Sequence, residues 1–163
     1  MSTTAEFFDA IRAGDLARVE VLLGANPLLT DSVSADGLSP LGLAASSGQP
    51  EVLEFLLKSG ADPNAASQDQ MGLTPLHSAV AHQQPETSLR MATALLQSGA
   101  DPNVQQHGGW TPLHEAAALG RAKILVLLLD HGANPNAVTA DGKTPGQKAR
   151  EAGHGEIAAR LHQ

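Results

Sequence analysis

A chain of 163 residues is long enough to bury a core of its own, and 17 acidic against 10 basic side chains give it a formal net charge of −7. That balance works against nucleic acid or an anionic membrane as the main partner, because both demand a surplus of Lys and Arg. The absence of cysteine removes disulfides, thiolate chemistry and cysteine-held zinc or iron–sulfur sites together, and fits a reducing compartment.

The opening MSTTAEFFDAIRAGDLARVE has no basic segment followed by an apolar stretch and a cleavage site, and the longest unbroken apolar run, Ile124 to Leu129, is far too short to span a bilayer. The expected location is the cytoplasm; a protein exported by a route other than Sec would look the same. Aromatic residues are almost missing (Phe7, Phe8, Phe55 and Trp110), so Ala and Leu must carry the core. Small and medium aliphatics suit helices packed closely on helices.

Along the chain the same landmarks return. A first unit, about 1–33, carries Glu6, Asp9, Arg12, Asp15 and Arg18, a glycine at Gly14, and Gly24-Ala25-Asn26-Pro27, which arrives about two residues early for the frame of the later units. The second, about 34–66, runs from an Asp36-Gly37 turn through Ser39-Pro40-Leu41-Gly42 and Gly48 to Gly60-Ala61-Asp62-Pro63-Asn64. The third, about 67–105, has Thr74-Pro75-Leu76-His77 and Gly99-Ala100-Asp101-Pro102-Asn103. It holds four more residues between Thr74 and Gly99 than its neighbours do, and these are expected near His82-Gln83-Gln84-Pro85-Glu86-Thr87, in a longer loop between two helices. A surface loop tolerates such an insertion, and a functional loop is the alternative reading. The fourth, about 106–138, has Thr111-Pro112-Leu113-His114, Gly120 and Gly132-Ala133-Asn134-Pro135-Asn136. The fifth, about 139–163, has an Asp141-Gly142 turn, Thr144-Pro145-Gly146-Gln147 and Gly153, with Lys148, Arg150, Glu151, Glu156 and Arg160.

The Ser/Thr-Pro starts lie 35, 37 and 33 residues apart, a period that marks a repeat architecture. Each landmark has a mechanical meaning. A hydroxyl before Pro opens a helix, with Pro at its first position. The glycine nine residues later, Gly48, Gly120 or Gly153, closes that helix in a left-handed conformation. The apolar sets Val52, Leu53, Leu56, Leu57 and Ile124, Leu125, Leu128, Leu129 then form one face of a second helix. No unit can bury its face alone, so the units must stack. Leu56, Leu57, Leu95, Leu96, Leu128 and Leu129 are expected between repeats, with Ala44, Ala45, Ala79, Ala116 and Ala117 permitting close helix approach.

The run Gly109-Trp110-Thr111-Pro112-Leu113-His114-Glu115-Ala116-Ala117-Ala118-Leu119-Gly120, continuing to Asn136, resembles the ankyrin repeat, and the resemblance extends over nearly the whole chain. It implies an all-α ankyrin-type solenoid of about five helix-turn-helix repeats with β-hairpin-like finger loops, forming one domain over 1–163. The polar first and last repeats are expected to serve as caps, as a solenoid requires. The family usually binds other proteins on a concave face built from the fingers and first helices, and it is rarely catalytic. His77 and His114 are expected to hydrogen-bond locally and to the adjacent repeat.

Other chemistry has little in the sequence to rest on. His82, His107, His131, His154 and His162 are scattered without ligand spacing, and no phosphate-binding glycine loop or nucleophile elbow is present. Asp62, Asp101 and Asn134 recur in turns. No catalytic residue, cofactor or metal is therefore expected, and the chain is expected to be a monomer that binds another protein. Two alternatives stay open, a His/Asp-based metal-dependent enzyme and a self-assembling array. By the resemblance, the residues before each Ser/Thr-Pro, Leu38, Leu73, Trp110 and Lys143, point into the groove. Met71 and His107 lie further out on the fingers, and Ser46, Ser47, Ala81, His82, Ala118 and Leu119 face it from the first helices. The competing reading of Leu38, Leu73 and Trp110 is that they pack on adjacent fingers to stiffen them.

Overall fold

The computed structural model describes residues 2–161, so His162 lies outside the described part. Among the described residues there are ten α-helices, one short 3-10 helix and no strand. The helices form five pairs: α1 (Thr3–Ala13) with α2 (Leu16–Ala25), α3 (Pro40–Ser46) with α4 (Pro50–Lys58), α5 (Pro75–Ala81) with α6 (Pro85–Gln97), α7 (Pro112–Ala118) with α8 (Ala122–Asp130), and α9 (Pro145–Glu151) with α10 (Gly155–Leu161). First helices pack on first helices in sequence, α1 to α3 to α5 to α7 to α9, and α2, α4, α6 and α8 form a second layer.

The first helix of each later pair starts as its sequence requires. Ser39, Thr74, Thr111 and Thr144 are extended, and each side chain accepts from the backbone N–H three residues on, with Pro at the first helical position. The second helices end at Gly60, Gly99 and Gly132, and the next alanine N–H reaches back to close the last turn (Ala61 to Leu56 O at 3.1 Å, for example). Gly24, by contrast, lies inside α2, and Asn26 instead caps the 3-10 helix Pro27–Asp31.

Leu56, Leu95, Leu96 and Leu128 are buried, and Ala44, Ala45, Ala79, Ala116 and Ala117 have no accessible surface. Leu57 and Leu129, expected inside, are only half-buried and pack on the rim of the core. At 100° per residue the face centred on Val52, Leu53 and Leu56 leaves Leu57 about 90° from its middle, and Leu129 stands in the same place on α8.

The extra residues of the third repeat are not a loop. The connection from α5 to α6 is residues 82–84, as short as 47–49 and 119–121, while α6 has 13 residues against 9 in α4 and α8. Four residues are close to one helical turn, so Met91, Ala92, Leu95 and Leu96 keep their face towards the core.

The tight turn of this repeat is also built differently. Elsewhere a glycine takes a left-handed conformation (Gly48 at φ 68°, Gly120 at φ 72°), and Gln49 or Arg121 N–H donates to the carbonyl of Ala44 or Ala116 at 2.9 Å. A Cβ on Gly48 or Gly120 would also lie 2.4 or 2.7 Å from the imidazole of His82 or His154, so the next repeat closes over each glycine. Gln83 stands in the glycine position of the third repeat, and the chain passes in an extended conformation at His82. The carbonyl of Ala79 accepts instead from the buried Ser88 hydroxyl at 2.6 Å, which also reaches Val80 O at 3.3 Å, and from the His82 N–H at 3.3 Å. Arg121 of the next repeat donates to His82 O at 2.6 Å and Gln83 O at 3.3 Å.

Two stability measurements follow. Leu128→Ala should cost about 2–5 kcal/mol in chemical denaturation, as truncation of a fully buried leucine does. Ser88→Ala should cost about 1–3 kcal/mol, because it leaves the Ala79 carbonyl without its close hydroxyl donor. A loss near zero for Ser88→Ala would mean that another group closes this turn.

Candidate protein-binding groove

The groove is built on the repeats' own hydrogen bonds. In each finger the chain doubles back: Ser34 N–H donates to Leu38 O, Ser67 to Leu73 O, Gln106 to Trp110 O and Thr139 to Lys143 O, at 2.7–3.0 Å. Fingers join one another through Gln68 N–H to Gly37 O, His107 N–H to Met71 O and Ala140 N–H to Gly108 O, each at 2.8 Å. At the other end of the fingers Asn64 bridges to Gly99 O and Asp101 N–H, and Asn103 repeats this with Gly132 O and Asn134 N–H.

Two buried histidines anchor the finger bases. His77 Nδ1 faces the Thr74 hydroxyl at 2.9 Å and the Thr74 N–H at 3.3 Å, while Nε2 lies 3.1 Å from Trp110 O. His114 makes the same set with Thr111 at 2.8 and 3.1 Å and with Lys143 O at 2.9 Å. A carbonyl can only accept, so Nε2 carries the proton and Nδ1 accepts in the neutral ring. Burial lowers both histidines below their ordinary range, against the pull of the carbonyls on Nε2. Gln147 holds the same position in the last pair and accepts from Thr144 N–H at 2.9 Å.

Over His77 lies a hollow of about 610 Å³ between fingers and first helices. Met71, Leu73 and Gln106 form its finger wall, and Ser46, Ser78, Ala81 and Glu115 its helical wall, with His82, Gln83 and Gln84 at the turn. Five of the residues expected on the groove meet here: Ser46, Met71, Leu73, Ala81 and His82. Met71 is 43% exposed.

The others lie elsewhere. Leu38 is half-buried and packs on the core, and Ser47 caps α3. His107 is exposed on its finger. Trp110 is half-buried beside the His114 ring, with Lys148 Nζ 5.1 Å from its ring centroid, so the next repeat partly covers it. Lys143 pairs with Glu151 at 3.0 Å. Leu119 lines a separate hollow of about 780 Å³ with Pro85, Leu89 and Ile124.

Glu115 was missed by the sequence reading. It stands four residues after Thr111, the place held by Leu43, Ser78 and Lys148 in the other repeats, and aligning the units on that column would have singled it out. It is half-buried, and burial raises its carboxyl above the usual range. Among the described residues no three His, Asp or Glu side chains converge as metal ligands would, and no helix is long and apolar enough to cross a membrane.

The profile of the ankyrin-repeat family (ankyrin repeats, three copies) matches residues 7–106 and 86–163. The chain belongs to the ankyrin-repeat family. Ankyrin repeats generally mediate protein–protein interaction and are not themselves enzymatic. Similar proteins include protein phosphatase 1 regulatory subunit 27 of Mus musculus, 35% identical over 65% of this chain and 65% of that protein. An ankyrin repeat protein of Neurospora crassa is 41% identical over 73% of this chain and 11% of its own length. An E3 ubiquitin-protein ligase of Arabidopsis thaliana is 34% identical over 67% of this chain and 6% of its own length. The chain thus spans less than two thirds of the length of these relatives.

The two ankyrin histidines make stability depend on pH. Their folded values lie below the unfolded value of 6.5, so the unfolded chain takes up protons first as pH falls. Stability is complete above pH 6.5 and falls as pH drops from there towards the folded values. His114→Gln should keep the cap, as Gln147 does, and lose the bond to Lys143 O. The expected cost at pH 8 is about 1 kcal/mol, the scale of one hydrogen bond, with a shallower fall of melting temperature below pH 6.5. An unchanged pH profile in the double variant with His77→Gln would assign the acid sensitivity to other groups.

Proposed function

We propose that this chain is a non-catalytic scaffold that holds a partner protein in the groove between its fingers and first helices. The observation that carries the reading is the convergence of Met71, Leu73, Ser46 and His82 on one open hollow in the middle of the array. An exposed apolar side chain rimmed by polar groups is the composition of an interaction patch. Around it the proposed surface continues to Leu38, Ser47, His107, Trp110 and Lys143; Leu119 belongs to it only where a partner reaches over the turn.

The rest of the reading is the setting. Residues 1–163 act as one repeat domain in which 1–33 and 139–163 serve as caps. Charged side chains support this at both ends, Arg18 with Glu6 at 2.8 Å and Lys148 with Asp141 at 3.4 Å. The domain works as a monomer in the cytoplasm without a metal or cofactor. Neither nucleic acid nor membrane is its partner, in keeping with its net charge of −7.

The test pairs capture with a fold control. The full chain, its Met71→Ser/Leu73→Ser variant and its Leu89→Ser variant on the second-helix layer are used to capture proteins from native lysate, with thermal melts of each. A captured protein should bind the wild type and the Leu89 variant, and lose about tenfold or more in affinity for the groove variant, as loss of an anchor of about 1.4 kcal/mol gives. Trp110→Ala should weaken the same complex. Full binding by a folded groove variant would move the site off this face.

A further inference from the structure

The groove's charge is unusual for its place. Lys148, at the equivalent position one repeat on, is engaged on every side: with Asp141 at 3.4 Å, with Glu151 at 3.7 Å, and over the Trp110 ring. Glu115 has no ion pair and no side-chain hydrogen bond with any described residue, although it is half-buried in the wall of the hollow. No Lys or Arg lines the hollow. Arg121, at the turn, donates from Nη2 to the carbonyls of His82 and Gln83, while its Nη1 is buried without a hydrogen-bond partner; it makes no ion pair with Glu115. The other titratable groups there are His77, held neutral by its bonds to Thr74 and Trp110 O, and His82.

A half-buried carboxylate without a partner is costly to the free protein, and burial is the sole cause of its raised titration. An incoming cation would recover that cost and gain attraction in a partly desolvated site. The neighbours suit the stem of a long basic side chain. Ser46, Ser78 and Ala81 are small and leave depth, while Met71 and Leu73 offer an apolar wall along which methylenes can lie. The net charge of −7 favours approach of a basic segment from a distance.

We propose that the groove recognises a partner segment through one lysine or arginine, whose cation pairs with Glu115 while apolar neighbours of that residue rest on Met71 and Leu73. This rests on the groove being the binding face. Glu115 is then the specificity-determining residue, and acidic or neutral segments of the same shape are rejected.

The probe is a random peptide library displayed on phage, selected against the full wild-type chain. The selected peptides are then synthesised and titrated against Glu115→Gln, Glu115→Lys and Met71→Ser/Leu73→Ser, with a thermal melt of each variant. Selected peptides should share a Lys or Arg flanked by apolar residues. Glu115→Gln should weaken them about tenfold or more, the low end for removing one member of a desolvated charge pair. A second selection against Glu115→Lys should yield Asp or Glu at the same place, a reversal that mere damage to the fold cannot produce. Peptides weakened by the Met71/Leu73 variant but indifferent to Glu115→Gln would overturn the anchor and leave the groove standing. Peptides indifferent to both, or selected peptides with no basic preference, would overturn the inference, and the former would remove the groove as well.

Discussion

The buried histidine that joins each middle repeat to the next is the interaction on which the rest depends. One ring caps its own helix through Thr74 or Thr111 and holds a carbonyl of the following finger, that of Trp110 or Lys143. Those carbonyls belong to the residues immediately before the next Thr-Pro. The same bond therefore sets the stacking of two repeats and fixes the finger base that borders the groove. Because the ring is buried and must stay neutral, the link is geometrically strict: a donor on one side, an acceptor on the other, and no freedom to exchange them. Repeat two has Gly42 where the histidine would stand, so Leu73 O takes only its own finger's Ser67 N–H. The histidine links start one repeat later, directly beneath the hollow.

Much of this was legible in the sequence, for a physical reason. Helix starts, helix stops and the histidine position are local chemistry, written within a few residues and repeated, so Ser39, Thr74, Thr111, Thr144 and the glycines at helix ends declared themselves. What was not legible depends on neighbours in space. The four extra residues of repeat three were expected in a loop because His82-Gln83-Gln84-Pro85 reads as one, yet four residues are close to a full turn and entered α6 without disturbing its buried face. Leu57 and Leu129 match the periodicity of their helices but sit at the edge of the packed face, and only the position of the adjacent helix decides how much of them is covered. The candidate surface divided in the same way. Met71 and Leu73 reach the hollow from the finger, whereas Trp110 is partly covered by Lys148 of the next repeat, a contact that no single repeat reveals. The Asn64 and Asn103 bridges were equally invisible, since their partners lie a whole repeat away.

Repeat three shows how such an array tolerates a departure from its own pattern. Without the left-handed glycine at position 83, two groups from different elements serve this turn: Ser88 from the lengthened α6 donates to the α5 carbonyls of Ala79 and Val80, and Arg121 from the next repeat donates to the turn carbonyls of His82 and Gln83. The compensation is local, as expected when each unit contacts only its neighbours. It also brings His82, Gln83 and Gln84 to the mouth of the hollow, where the regular turns carry glycine and so present less side chain. The irregular repeat and the central hollow coincide because His82, Gln83 and Gln84 belong to both.

Charge arrangement follows the same logic. At the first repeats Arg12 lies between Asp9 and Asp36, and Arg18 meets Glu6. At the last, Lys143 and Lys148 share Glu151 and Lys148 adds Asp141. Arg90 is clamped by Glu51 and Glu54 on the second-helix layer. These pairs lie at the surface and add little stability each. The other acidic side chains outside these pairs are exposed to solvent, whereas Glu115 is half-buried in the wall of the central hollow with no opposite charge beside it. An exposed, hydrated charge has little to gain from an approaching protein, whereas a partly desolvated carboxylate gains from any cation that replaces lost water. Electrostatics and shape thus select the same few residues, and they do so at the repeats that the buried histidines hold most firmly.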